Sequence, residues 1–323
     1  MFVMILQRLT QMVFVMFGIS VLVFLIFFAT PGADPAARIA GRNAAPETVA
    51  AVRREFGFDQ PKATQYAIMM RKLFVMRDLE SFVNRGMKVV PAIAEATPIT
   101  LSLVFGAAVF WVIGSILMGA AAAALRGGII DRTLMIVSLI GLAMPVFWLG
   151  EMVNLVTQGR WHDTVLFSWV PGLGYVALTE DPPGWARALI LPWLTLATTY
   201  IGFYARILRA SLIDVYQEDF IHAARARGIA EWRIMMRHAL RCSLVPFATL
   251  FGLDFGVLVG GGALVTEVVF GLNGVGKLTY DSLQNLDLPM IMASVIYASF
   301  FVVLANAAVD VAYVALDPRV RTR

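Results

Sequence analysis

The sequence predicts an all-α, polytopic helical membrane protein with six transmembrane helices. Three observations carry this. Only 15% of its 323 residues are charged, where soluble domains average about 25%. Its mean hydropathy is +0.76. Six runs, at about 9–30, 98–125, 133–157, 187–209, 244–269 and 289–316, reach the roughly 20 apolar residues that a bilayer core of about 30 Å requires. A long apolar–polar alternation, the mark of a membrane barrel, is missing, so the runs are read as helices. The single cysteine, Cys242, excludes an internal disulfide and a cysteine-built zinc cluster.

Residues 1–30 hold Arg8 and the first apolar run. A cleaved signal has a shorter apolar region of roughly 7–15 residues, so an uncleaved span is expected. Residues 31–97 form an extracytoplasmic cap. There "PETVAAVRREFGF" opens on Pro46–Glu47, places Val49, Val52 and Phe56 at helical spacing, and stops at Gly57. "QPKATQYAIMMRKLFVM" repeats the idea after Pro61. Short helices on the outer membrane face are expected, either as a plain cap or as a docking surface. Residues 98–316 form the core with five further spans. Pro145 lacks a backbone donor and is expected to bend the third. Gly260, Gly261 and Gly262 suit either a shifting helix or tight packing in the fifth.

Positive charge sets the orientation. With the N-terminus inside, the inner segments collect Arg8, Arg126, Arg132, seven arginines from Arg206 to Arg241, and Arg319, Arg321 and Arg323. The short outer loops hold Arg160, Arg187 and Lys277. Cytoplasmic loops carry excess Lys and Arg, so both termini, including the tail 317–323, are expected in the cytoplasm. The loop 31–97 exceeds about 60 residues, where that rule loses force.

The same topology puts the loop 210–243 in the cytoplasm. Its centre, "DFIHAARARGIAEWRIMMRHAL", is basic and rich in small residues. Ala223 and Ala224 leave a shallow helix surface. Gly228 permits a left-handed turn. Ile229, Trp232, Ile234 and Met235 follow with apolar contact. Two readings fit these residues: a helix presented to a soluble partner, or an amphipathic helix resting on lipid headgroups.

Here the sequence resembles a known family. Ala223-Ala224-x-x-x-Gly228, with Ile234 and Pro246 beyond, looks like the "EAA" loop of ATP-binding-cassette importer permeases. The resemblance is closest to the dipeptide/oligopeptide/nickel branch. It runs nearly end to end through "TPGADPAARIAG", "GFDQPKATQY", "TPITLSLVFGA", "MPVFWLG", "LPWLTLA", "RHALRCSLVPFATLFGL", "TEVVFGLNGVGKL" and "ALDPRVR". The segment 77–88 departs most from the family's pattern. His222 stands at the Glu position of the loop, which removes one salt link to an ATPase. The resemblance implies a type I importer permease fold in a bacterial or archaeal plasma membrane. It implies a second permease subunit, different from this chain. It also implies two cytoplasmic ATPase domains, an extracytoplasmic substrate-binding protein and contact with membrane lipid. No nucleic-acid partner is expected. His222, Ala223, Ala224, Gly228 and Ile234 would form the coupling helix that docks on the ATPase. The chain itself would carry no cofactor, with ATP and magnesium held by the partner subunits. Peptides are the first expected cargo; nickel or another small solute is the alternative.

"GLNGVGKL", Gly271–Leu278, imitates a phosphate-binding loop, but Leu278 stands where a magnesium-holding Ser or Thr is required. The turn between spans five and six explains its glycines. The three histidines form no set, and neither H-E-x-x-H nor G-x-S-x-G occurs. A membrane enzyme is disfavoured and no metal site is expected. Acids remain within or near the spans: Glu151, Asp254, Glu267 and Asp310. A carboxylate at the centre of a span costs about 2.5–3.5 kcal/mol or more. Asp310 lies near a cytoplasmic end. Asp254, Glu151 and Glu267 are candidates for the wall of a path that favours a cationic or amine-bearing substrate. A structural hydrogen bond between helices is the competing reading. An ATP-independent secondary transporter would also explain spans and acids, but not the 219–246 block, and such transporters often carry internal repeats that this chain does not show.

Overall fold

A computed structural model describes residues 2–28, 35–40, 44–55, 57–84, 86–159 and 161–316. The tail 317–323 and the side chain of Asp310 lie outside them. The first helix, α1 (Phe2–Phe28), is followed by three short ones, α2 (Pro35–Ala40), α3 (Pro46–Glu55) and α4 (Lys62–Arg71). Proline opens α2 and α3, where its fixed φ and missing N–H suit a first turn. Glu47 at the start of α3 and Arg53 and Arg54 at its end match the helix dipole.

Within 77–88, the weakest part of the family pattern, the described residues 79–81 pair with 87–89 as a hairpin. Glu80 and Lys88 form an antiparallel bridge. Ser81 N–H donates to the Met87 carbonyl at 2.9 Å and Val89 N–H to the Leu79 carbonyl at 2.8 Å. The buried Asp287 carboxylate fastens this hairpin from far along the chain. It accepts from the Ser81 hydroxyl and, at 3.1 Å, from the Phe82 N–H. Phe24, Met69, Leu79, Phe82, Ile291 and Met292 bury one another beneath it, so the cap is seated on the first and last helices of the chain.

The core begins with α5 (Val89–Ala124), α6 (Ile129–Ala143) and α7 (Val146–Thr157). It continues through α8 (Pro182–Val215), α9 (Asp219–Ala226), α10 (Glu231–Ile234) and α11 (Leu240–Val257). It closes with α12 (Leu264–Val269), α13 (Val275–Asn285) and α14 (Leu288–Leu316). Among the described residues four helices are long and apolar enough to cross a membrane unaided: Val89–Ala124, Pro182–Val215, Glu231–Gly262 and Leu288–Val309. The described part of α1, Thr10–Ile26, is apolar but shorter.

Two spans differ from expectation. The run 133–157 is not one helix but α6 and α7, bent by 96°. Pro145 forces Met144 into extended backbone, ψ 124°. The new direction is then held by packing: Asn154 Nδ2 donates to the Val269 carbonyl at 2.9 Å, and Gly150 lies so close that a Cβ would be 2.9 Å from Val269. The run 244–269 also ends early, at Gly262. Gly261 takes φ 110°, which only glycine tolerates readily, and α12 starts anew.

The α5–α8 seam is aromatic. Trp111 packs against Tyr200, Tyr204 and Phe251 with ring centroids 4.4, 4.8 and 4.8 Å away. The α11–α14 seam is made of backbone instead. Gly252, Gly256 and Gly260 recur every four residues, and Cβ atoms on them would sit 1.9 Å from Val309, 2.4 Å from Ala305 and 3.0 Å from Ala298. Small residues at this spacing let two membrane helices touch along their backbones.

Candidate functional site

The loop between α8 and α11 is a built object. Asp219 in the first turn of α9 favours its N-terminus. The other end closes as a Schellman turn: Gly228 N–H reaches the Arg225 carbonyl at 2.9 Å and Ile229 N–H the Ala224 carbonyl at 3.3 Å. Gly228 takes φ 74° there. Nothing lies within 4 Å of where its Cβ would be, so a side chain would strain the backbone rather than strike a neighbour. Ile221 and Ile234 are fully buried and Ala224 nearly so. His222 and Ala223 are exposed, as is Phe220 at 44%. Of the two alanines, one therefore faces the protein and the other faces out.

A clasp holds α9 against α10. Arg225 donates through Nε at 2.6 Å and Nη2 at 3.3 Å to the two Glu231 oxygens, and its guanidinium lies 5.4 Å from the centre of the Tyr216 ring. Glu231 holds the Arg225 guanidinium above its ordinary range. Burial, aided by Glu231, pushes the Tyr216 phenol up. Deeper in, Arg209 of α8 makes two 2.7 Å bonds to the buried Asp131 of α6. The Gly127 N–H gives Asp131 a third bond at 2.9 Å. Sequence reading missed this pair, because its members are 78 residues apart and each looks like an ordinary loop-side charge.

The three candidate path acids are not brought together. Asp254 is half-buried on α11 and accepts from the buried Tyr204 hydroxyl at 2.6 Å. Glu151 is exposed on α7, beside exposed Trp148 and Met152. Glu267 is 0% exposed. Its carboxylate accepts from Thr100 Oγ1 at 2.6 Å and from the Lys277 N–H at 2.8 Å. Thr100 in turn accepts from the Val275 N–H at 2.8 Å. Glu267 thus ties α12, α13 and α5 together and lines no open space. The "GLNGVGKL" glycines have a matching reason: a Cβ on Gly274 would lie 2.4 Å from this carboxylate. The imitation phosphate loop cradles an acidic group after all, and the group is the chain's own Glu267 carboxyl beside the N-terminus of α13. A groove of about 470 Å³ between α5, α11 and α14 is lined by Phe105, Phe251, Phe255 and Leu304 among others. Neither Asp254 nor Glu151 lines it.

Comparison with known proteins settles the kinship. Residues 115–322 match the family described as binding-protein-dependent transport system inner membrane component, and residues 1–104 match its N-terminal companion. The chain belongs to this family. This permease is 37% identical over 317 residues to a putative peptide transport system permease protein of Brucella abortus, with 98% of each chain covered. It is 34% identical to a probable D,D-dipeptide transport system permease protein, DdpB, of Escherichia coli, covering 97% of this chain and 96% of the relative. It is 35% identical to the E. coli glutathione transport system permease protein GsiC, with 98% of each covered. Among solved structures, a chain of the MetNI methionine ABC transporter matches with a TM-score of 0.52 at 18% identity, covering 71% of this chain and 97% of that one. That likeness identifies the importer-permease fold. The permease is a multi-pass inner-membrane transport component.

Proposed function

We propose that this permease forms half of the translocation path of an ATP-driven peptide importer and takes its drive from cytoplasmic ATPase subunits through α9. The observation that carries the reading is the two-sided α9: Ile221 and Ala224 are rooted in the core while His222 and Ala223 are presented outward. A helix merely resting on lipid would turn its apolar face outward, whereas α9 roots Ile221 and Ala224 in the core and presents a mixed face of Phe220, His222 and Ala223. The chain itself hydrolyses no ATP. Its partners are a second permease, two ATPase domains and an extracytoplasmic binding protein, and both its termini face the cytoplasm. Relatives named for peptide, dipeptide and glutathione transport support a short-peptide cargo. Asp254, with one oxygen on Tyr204 and partial exposure, supplies a partner for a peptide ammonium group.

The test is site-directed cross-linking in membranes that hold the whole complex, in a Cys242→Ser background. Ala223→Cys should cross-link to the ATPase subunit and Ala224→Cys should not. Equal yields, or none from Ala223→Cys, would sink the docking assignment. Gly228→Val should leave the complex assembled but free its ATPase activity from control by loaded binding protein, because valine resists φ 74°. A fully coupled variant would remove Gly228 from the mechanism.

A further inference from the structure

The connection between α7 and α8 exposes large apolar side chains outside any long helix. Val165 is 94% exposed, Leu166 72%, Trp161 58% and Trp169 46%. Exposed patches of this kind mark contact surfaces. The segment is nonetheless ordered by its own turns. Thr164 N–H donates to the Trp161 carbonyl at 3.1 Å, Ser168 N–H to Thr164 at 2.9 Å and Val170 N–H to Phe167 at 3.0 Å. Side chains satisfy further carbonyls. Thr164 Oγ1 reaches the Trp161 carbonyl at 2.6 Å and Trp169 Nε1 the Leu166 carbonyl at 2.7 Å. Gln158 Nε2 ties the base of the loop to the Pro171 carbonyl at 2.7 Å. Backbone groups paired within the loop and apolar side chains turned out suit a non-aqueous surrounding, where unsatisfied backbone groups are costly.

Position adds the second argument. The loop leaves from the end of a membrane element, α7, and returns into another, α8. With 34 residues, α8 is about 51 Å long, so its two ends lie at opposite membrane faces, with the loop on the face away from α9. Two tryptophans beside valine and leucine at such a boundary match the aromatic belt of membrane proteins. Asp163, the one acid between Trp161 and Val170, is also exposed, which fits headgroup depth rather than the hydrocarbon centre. A soluble binding protein that comes and goes would leave Val165 and Leu166 in water for much of each cycle. A lipid surface covers them continuously.

We propose that residues 161–169 are an interfacial anchor whose Val165–Leu166 tip enters the outer leaflet and fixes the outer end of α8 at a set depth. Rather than resting on the cargo or the coupling assignment, the inference needs only that the chain spans the membrane.

The experiment uses the assembled transporter in proteoliposomes, with Cys242→Ser and one nitroxide label at a time. At Val165→Cys and Leu166→Cys, collision with oxygen, which concentrates in lipid, should exceed collision with a water-soluble nickel chelate. At the exposed Thr179→Cys the order should reverse, which calibrates the measurement. Greater access to the nickel chelate at 165 and 166 would overturn the proposal by placing the tip in water. Poor access to both reagents would overturn it by placing the tip under a second subunit.

Discussion

Glu267 and Asp254 lie thirteen positions apart in sequence, and both stand in apolar stretches. Their surroundings differ in kind. Around Glu267, the end of α12, the start of α13 and the flank of α5 close completely: two donors reach one carboxylate and glycine makes room for it. Around Asp254, the α8–α11 seam supplies one phenol and leaves the rest partly open. A buried charge must be hydrogen-bonded on all sides or be costly. Closure therefore marks an acid spent on architecture, and incomplete closure marks one free to meet something else. Asp131 and Glu151 extend the series at each end, the first gripped by Arg209 and Gly127 and the second exposed.

This ordering can be broken by mutation. Glu267→Ala should have the largest effect on stability. It strands two buried donors, the Thr100 hydroxyl and the Lys277 N–H, at about 1–3 kcal/mol each, and the permease should nearly vanish from membranes on immunoblot. Normal levels would end the distinction. Asp131→Ala should cost less, about 1–3 kcal/mol for an orphaned partner, seen as a lowered melting temperature in detergent and lost if Arg209 is replaced with it. Asp254→Asn should leave the protein level unchanged while lowering peptide uptake about ten-fold, the equivalent of about 1.4 kcal/mol in the transport barrier. Tyr204→Phe removes the phenol hydrogen bond but keeps the charge, so it should retain most of the uptake. If both variants lose protein rather than transport, Asp254 joins the architectural acids. Glu151→Gln should change least, about two-fold in uptake with no change in level; unchanged uptake would remove it from the path.

Much of the fold is legible in the sequence because a bilayer demands long apolar helices, and α5, α8 and α14 satisfy that demand without help from context. The cap helices α3 and α4 announce themselves through proline starts and, for α3, the Gly57 stop. The 96° break is legible only in part. Pro145 predicts a bend, but its direction depends on Asn154 reaching Val269, a contact across 115 residues. The end of the fifth span was hidden for a similar reason, since three consecutive glycines permit a break without specifying which one turns. At the loop between α8 and α11 the small residues were readable. That Ala224 faces inward and Ala223 outward was not, because it depends on where α9 lands on the core. Glu267 left a clue in the sequence: an acid seven residues before Gly274, in a loop whose glycine spacing suits an anion.

The bond between Arg209 and Asp131 sits six residues from the end of α8. It has a mechanical meaning. On the proposed coupling, a push on α9 would enter α8 through its last turns, and a free helix end could absorb it by bending. Here the last stretch is bolted to the first turn of α6, so the stroke is shared before it can be dissipated. A tilt of ~5° over the ~51 Å of α8 displaces one end against the other by ~4 Å. With α6 obliged to follow, that travel reaches the corner at Pro145, where a thrust along one helix becomes a swing of the next. The proline turns two short rods into a crank.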